Sequence, residues 1–519
     1  MDVSRAVTES YKIWIAGGAV VLALLWTTIP RGWARRALVT LAILAGFNYA
    51  RWGAEALAVR LDAYDLLHYY VNAKYFDELG YYDLYPAVLL VDHEHDGPFF
   101  EQGDKYLAQD ESGHHTAPIT QGLAQGEVVK QQRFTPERWE AFTHDVLTLQ
   151  RTIGCRDRDT RGRCIREMDD ALWRQLVNDH GFNGTPAWVL VARPLTAVPV
   201  EWLKLLGLLD LVLLTGAVGL VGWAYGGTTA LWTALWLLVT YSTRWPTITW
   251  GFLRYDWVAA LIAATALLAK GKPLLAGVCA GWAATSRLFP ALWMWGPAGK
   301  GVSGLLRGTV SRPLLQLALG FLLSVAVIEG AVLVGFGTEP TAVHFRNMED
   351  HNRAEQLSSR RIGMALALAT EPWKGTAVPE IITRGHKEEI ERQRPLRYGI
   401  ALVVLVGLAW GLRRSRDDEA FAMGLLPFFL LTTASYYYLV ARGPLIAVHA
   451  GSIELVRHRL SLALLFAIEV FCNAAETAFP GHRLFLIGTL AWLLALYAVA
   501  TTVALLAEAR AAELRTEAR

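Results

Sequence analysis

"LLGLLDLVLLTGAVGLVGW", Leu205 to Trp223, carries one charged side chain, Asp210, in nineteen residues. An α-helix needs about 20 such residues to cross about 30 Å of hydrocarbon. The stretch therefore reads as a membrane span. Trp14 to Pro30, Leu314 to Val334 and Leu484 to Ala507 have the same character, and other apolar blocks are shorter or broken by Gly and Pro. Together they predict an all-α polytopic membrane protein with about 13 spans, between about 11 and 15. Composition agrees: 53% of residues are hydrophobic and 18% charged, where a soluble chain carries about 25% charged residues. The first apolar block lacks a basic leader and is followed by "RGWARR". It reads as a retained helix, not a cleaved signal peptide.

Net charge is +2, which implies no nucleic-acid partner. Basic residues instead mark the short loops: Arg31, Arg35 and Arg36; Lys270 and Lys272; Lys300, Arg307 and Arg312; Arg413, Arg414 and Arg416; Arg457 and Arg459; and the tail to Arg519. Placing these in the cytoplasm lets the spans alternate without conflict. The expected organisation is N-terminal membrane helices over 1–56, an extracytoplasmic domain over 57–200 and a central bundle over 201–336. A second external segment over 337–396 and C-terminal helices with a short cytoplasmic tail over 397–519 complete it. The expected location is a membrane bordering the cytoplasm.

Within 57–200, "RFTPERWEAFTHDVLTLQ" predicts a helix with Thr135 as N-cap and Pro136 in its first turn. "MDDALWRQLVNDHGFN" predicts a second, ending near Gly181. Between them, "GCRDRDTRGRC" reads as a charged hairpin. An oxidising compartment would favour a Cys155–Cys164 disulfide there.

"DLLHYYVNAKYFDELGYYDLY", Asp65 to Tyr85, opens the longest polar segment and holds six Tyr and four carboxylates. Asp62 and Asp65 share a face if helical. A carboxylate among aromatic rings at the membrane surface suits a general base; an acidic turn with interfacial Tyr anchors is the other reading. "VDHEHDG", with His114 and His115, lacks the spacing of a metal motif and reads as a solvated loop; no metal site is expected. "TRWPTITWGFLRYDW" offers Arg244, Arg254 and Asp256 on the outer side. Arg287, in "ATSRLFPALWMWGP", is costly near hydrocarbon unless paired or facing a wet cavity. It reads as a phosphate ligand, or else as an arginine–carboxylate tie or a side chain snorkelling to the interface. Asp210 reads as an interhelical hydrogen-bonding group. "HFRNMEDHNRAEQLSSRRIGM" collects His344, Arg346, His351, Arg353, Arg360 and Arg361, a solvated charge run or an anionic headgroup site.

Taken in order, these pieces resemble the GT-C class of integral-membrane glycosyltransferases, especially the polyprenyl-phosphate-mannose-dependent mannosyltransferases and related bacterial enzymes. The resemblance rests on Asp65, Leu66, Tyr69, Tyr70 and Ala73, followed by Gly80, Leu84 and Tyr85. It continues through "NGTPAWVLVARPL", the helix–turn–helix from Gly251 to Pro290 and "SYYYLVARGPL". The first external segment is longer than is usual there, and Arg287 stands where Lys is commoner. The resemblance implies an inverting transfer of mannose, or a similar hexose or pentose, from a polyprenyl-phosphate donor to an extracytoplasmic glycan, lipid or protein. Asp65 would be the base with Asp62 its nearest substitute; Tyr69 and Tyr70 would line the sugar pocket, and Arg287 would bind phosphate. Arg254, Arg346 and His351 join the expected substrate-binding set by location. No cofactor is implied, the lipid-linked sugar being a substrate; membrane lipids are the remaining partner. A multi-pass transporter or flippase of lipid-linked sugars is the alternative.

Overall fold

The computed structural model describes residues 5–50, 52, 65–95, 103–111, 113–153, 155–158, 164–167, 174, 176–179, 181–243, 251–309, 311–351, 353 and 357–517. The chain is about 79% helical, which places it in the all-α class. Among the described residues six helices are long and apolar enough to cross a membrane: Val7–Leu25, Leu205–Tyr225, Arg312–Phe336, Arg394–Leu412, Val456–Ala478 and Arg483–Arg515. The expected count of about 13 is not confirmed. Other apolar blocks fold as shorter pieces, including Gly227–Val239, Asp256–Ala269, Pro273–Arg287 and Gly443–Gly451. Gly226, Gly271 and Pro290 lie at the ends of such pieces; glycine frees the backbone and proline removes a donor, so both stop helices.

Arg312–Phe336 shows how the membrane portion is built. Val327 and Val334 are 70% and 90% exposed, a face suited only to lipid. Its buried residues Leu317, Gly320 and Ser324 face Pro273–Arg287. There a Cβ on Gly277 would lie 2.1 Å from the Leu317 carbonyl oxygen, and one on Gly320 would lie 2.1 Å from that of Leu274. Small residues let the backbones meet, the usual device where lipid is as apolar as Leu. This crossing fixes the helix that ends in Arg287. Gly277→Val should force the helices apart and cost about 1–3 kcal/mol or more. Thermal unfolding of detergent-solubilised protein, compared with Gly301→Ala, whose Cβ meets nothing within 4 Å, would check it.

The long polar segments have a core of their own. Leu67, Tyr75, Val88, Phe142, Val146 and Trp188 are among its buried side chains. Helix Pro136–Ile153 starts where expected, with the Arg138 amide donating to Thr135 Oγ1 at 3.3 Å. The domain is not wholly helical. Strands Lys105–Asp110 and Gly113–Pro118 pair antiparallel from Lys105 opposite Pro118 to Asp110 opposite Gly113. Strands Cys155–Arg158 and Cys164–Glu167 form the expected charged hairpin, with Cys164 opposite Arg158. The Cys155 and Cys164 side chains, and most of 168–180, lie outside the described residues.

"VDHEHDG" departs from a loop. Val91 to Glu94 end helix Leu84–Glu94, Glu94 pairs with Lys130, and Trp139 Nε1 donates to Glu94 at 3.1 Å. Two neighbouring helices, Ile119–Arg133 and Pro136–Ile153, supply the lysine and the indole that order this stretch.

Candidate functional site

The opening of the Tyr-rich stretch folds as a π-helical turn, Leu66–Val71, with Asp65 at its N-terminal end. Such turns rotate successive side chains away from α-helical register and recur at functional sites. Asp65 is 1% exposed, and Arg254 donates to its Oδ1 at 2.5 Å. The partners are 189 positions apart, so the pair closes only in the fold.

Asp210 holds Arg254 in place. The Arg254 and Tyr255 amides donate to its carboxylate at 2.9 and 3.0 Å. The lone carboxylate of the Leu205–Tyr225 span thus ties that helix to the start of Asp256–Ala269. Leu253, just before Arg254, has a φ of 50°, and Leu288, just after Arg287, has a φ of 56°. Left-handed leucine costs energy that the surrounding structure must overcome. Both arginines are therefore presented by strained backbone.

Arg287 lies 5.5 Å over the Tyr69 ring and 5.8 Å from that of Trp188. Among the described residues it makes no hydrogen bond or ion pair, and its Nε is shielded from solvent. No direct arginine–carboxylate ion pair forms among them: Asp256 feels the Arg287 charge through space but accepts its hydrogen bond from Ser286 Oγ at 2.8 Å. Tyr69 donates to Asn183 Oδ1. Burial pushes its phenol above the ordinary range, so it acts here as a hydrogen-bond donor.

Asp65, Tyr69, Arg254 and Arg287 line one cavity with Phe252, Tyr255, Trp257, Tyr437 and Tyr438. Its volume is about 20 Å³, room for roughly one water. A sugar phosphate would enter only as these side chains part. Tyr437 and Tyr438 belong to the Tyr-rich turn Tyr436–Arg442 and were not among the expected site residues. The sequence offered that turn only as part of the family resemblance, with no cue that it folds over the first loop.

Other expected residues lie elsewhere. Tyr70 is buried, donates to the Val198 carbonyl at 2.8 Å and packs on Phe252; it does not line the cavity. Arg346 is half exposed and sits 3.7 Å from Glu111, on helix Glu339–His351, which packs on the first polar segment through Tyr82 and Asn347. Asp62, Arg244 and the His351 side chain lie outside the described residues.

Two residues of the charge run come closer than expected. His344 is buried, with neither ring nitrogen hydrogen-bonded among the described residues. Burial, aided by the Arg287 charge, lowers it to about 4, so it is neutral at pH 7. Arg361 is buried on the short strand Arg361–Ile362, which pairs with Ala434–Ser435 beside the Tyr turn. Burial lowers the Arg361 pKa, while the Tyr437 and Tyr438 phenols oppose that shift. Among the described residues no cluster of His, Cys, Asp or Glu is arranged to hold a metal.

The arrangement offers a buried carboxylate, two guanidinium groups and a wall of phenols and indoles. It can neutralise a phosphate, stack a sugar ring and accept a proton within one enclosure. No family model, no curated protein and no solved structure matches the chain.

Proposed function

We propose that the protein is an inverting glycosyltransferase of the GT-C type. It would take a sugar from a polyprenyl-phosphate donor and deliver it to an acceptor on the extracytoplasmic face of a bacterial inner membrane. The observation that carries this reading is the convergence of Asp65, Arg254 and the hydrogen-bond-free Arg287 on one aromatic cavity. A membrane protein gains little stability from burying such charges, and their cost marks a functional site.

In this mechanism the donor phosphate lies between the guanidinium groups of Arg254 and Arg287. Charge-assisted hydrogen bonds there grow stronger as the leaving group gains negative charge. Arg254 then shares its hydrogen bonds with phosphate, freeing Asp65. The acceptor hydroxyl attacks the anomeric carbon from the face opposite phosphate. Its proton passes to Asp65, the sugar–phosphate C–O bond breaks, and the electron pair leaves on polyprenyl phosphate. Tyr69, Trp257 and Tyr438 offer faces and hydroxyls for the sugar.

The reading is tested with the full chain in proteoliposomes containing mannosyl-, glucosyl- or pentosyl-phosphate polyprenols and bacterial envelope glycans as acceptors. Turnover of one donor to polyprenyl phosphate, with the sugar recovered on acceptor, is expected. Intact movement of donor between leaflets without turnover would establish the transporter instead.

A further inference from the structure

The second half of the Tyr-rich stretch faces a different space. Tyr82, Tyr85, Tyr106, Gln109, Gln121 and Gln125 line a cavity of about 490 Å³ in the external domain, within the roughly 300–1,000 Å³ typical of small-molecule sites. The helix Ile119–Arg133 turns Gln121, Ala124, Gln125 and Val128 toward it, and all four are exposed. Opposite them stands the face of the Lys105–Asp110 strand. Among the described residues, the side chains of Tyr106, Gln109 and Gln121 have no hydrogen-bond partner.

The geometry points to a binding groove for a neutral saccharide, the acceptor of the proposed transfer. Phenol rings stack on the apolar faces of pyranoses, while side-chain amides both donate and accept, as sugar hydroxyls require. The charged groups do not favour an anion: Asp83 is paired with Arg133 at 2.9 Å and accepts from Gln125 at 3.2 Å. A lipid would leave the amides unsatisfied. A peptide added as a strand would need free backbone at the groove edge, but the Leu107 amide already donates to the Val177 carbonyl at 3.0 Å.

The groove and the Asp65 cavity share a wall. Phe182 lines the groove, and its ring lies 5.7 Å from that of Tyr69, which lines the other side. Tyr81, also in the groove, donates to the Gly184 carbonyl at 2.9 Å. A saccharide lying in the groove would bring its end toward the carboxylate that must take its proton.

This assignment rests on the glycosyltransferase reading for the word acceptor, but its test does not need turnover. Saturation-transfer NMR on the detergent-solubilised full chain would use mannotriose, maltotriose and N-acetylchitotriose as probes. At least one should receive saturation. Gln109→Ala with Gln121→Ala, both outside the core, should weaken its binding about 10-fold or more, at about 3- to 10-fold per lost hydrogen bond. Ala124→Trp should block it by filling the groove. Asp65→Asn should leave it intact, which separates failure of the groove from failure of the chemistry. No saturation transfer to any of the three probes, or binding unchanged in both groove variants, overturns the assignment.

Discussion

Asp65→Asn should lower the rate of sugar transfer by about 10² to 10⁴, the usual contribution of a general base. The substitution keeps the shape of the side chain and an oxygen that can still accept from Arg254, which donates to Asp65 Oδ1 at 2.5 Å. It removes the charge and the ability to take a proton. Donor binding should be retained or tightened, because a negative charge beside the incoming phosphate is gone. That split separates catalysis from positioning: a carboxylate that merely anchored Arg254 would, once neutralised, release it and weaken donor binding. Asp62→Asn should cost much less, and the double variant should be inactive while still binding donor. Steady-state kinetics with varied donor, beside direct binding of a non-transferable phosphonate analogue, would read both quantities. Near-normal turnover of the folded double variant would take the first-loop carboxylates out of the chemistry.

The sequence showed the membrane character and the polarity of the long segments between spans because both depend on local composition. Leu205–Tyr225 and Arg312–Phe336 are recognisable from one window of residues. The helix count was less legible. Whether an apolar block forms one long helix or a broken pair depends on partners such as the Leu317 carbonyl against Gly277, which no window contains. The site shows the same division. Asp65, Arg254 and Arg287 stood out as charges out of place in apolar or aromatic surroundings. Tyr437, Tyr438, His344 and Arg361 did not, because phenols in a turn and histidine in a charge run are ordinary until the chain brings them together. Asp210 was legible as a hydrogen-bonding group, but not as the anchor of the backbone that presents Arg254. The opening polar stretch was legible as a site and not as two. Its first turn faces Arg254, whereas Tyr82 and Tyr85 face the larger groove, a separation set by the positive φ of 54° at Gly80 that redirects the chain.

Arg287→Ala should weaken use of the donor roughly 10- to 100-fold, the worth of a charge-assisted hydrogen bond of about 1.5–3 kcal/mol. The effect should appear in the donor concentration needed for half-maximal rate and in kcat/KM, because Arg287 would hold phosphate both before and during its departure. Folding should change less than donor use, since among the described residues the side chain makes no ion pair or hydrogen bond; it meets the faces of Tyr69 at 5.5 Å and Trp188 at 5.8 Å and, at longer range, the charge of Asp256. Arg287→Lys is the informative partner. An ammonium keeps the charge but not the flat, forked guanidinium that stacks on these rings and grips two oxygens. It should recover part of the donor affinity and not all of it. Arg193, paired with Asp77 at the surface, supplies the control: exposed pairs contribute about 0–1 kcal/mol, so Arg193→Ala should leave donor use unchanged. Donor dependence that is the same in Arg287→Ala and in wild type, with both proteins folded, would make Arg287 a packing residue that rests on two aromatic rings. The phosphate would then have Arg254 and the buried Arg361 as its remaining cations beside the Tyr437–Tyr438 turn.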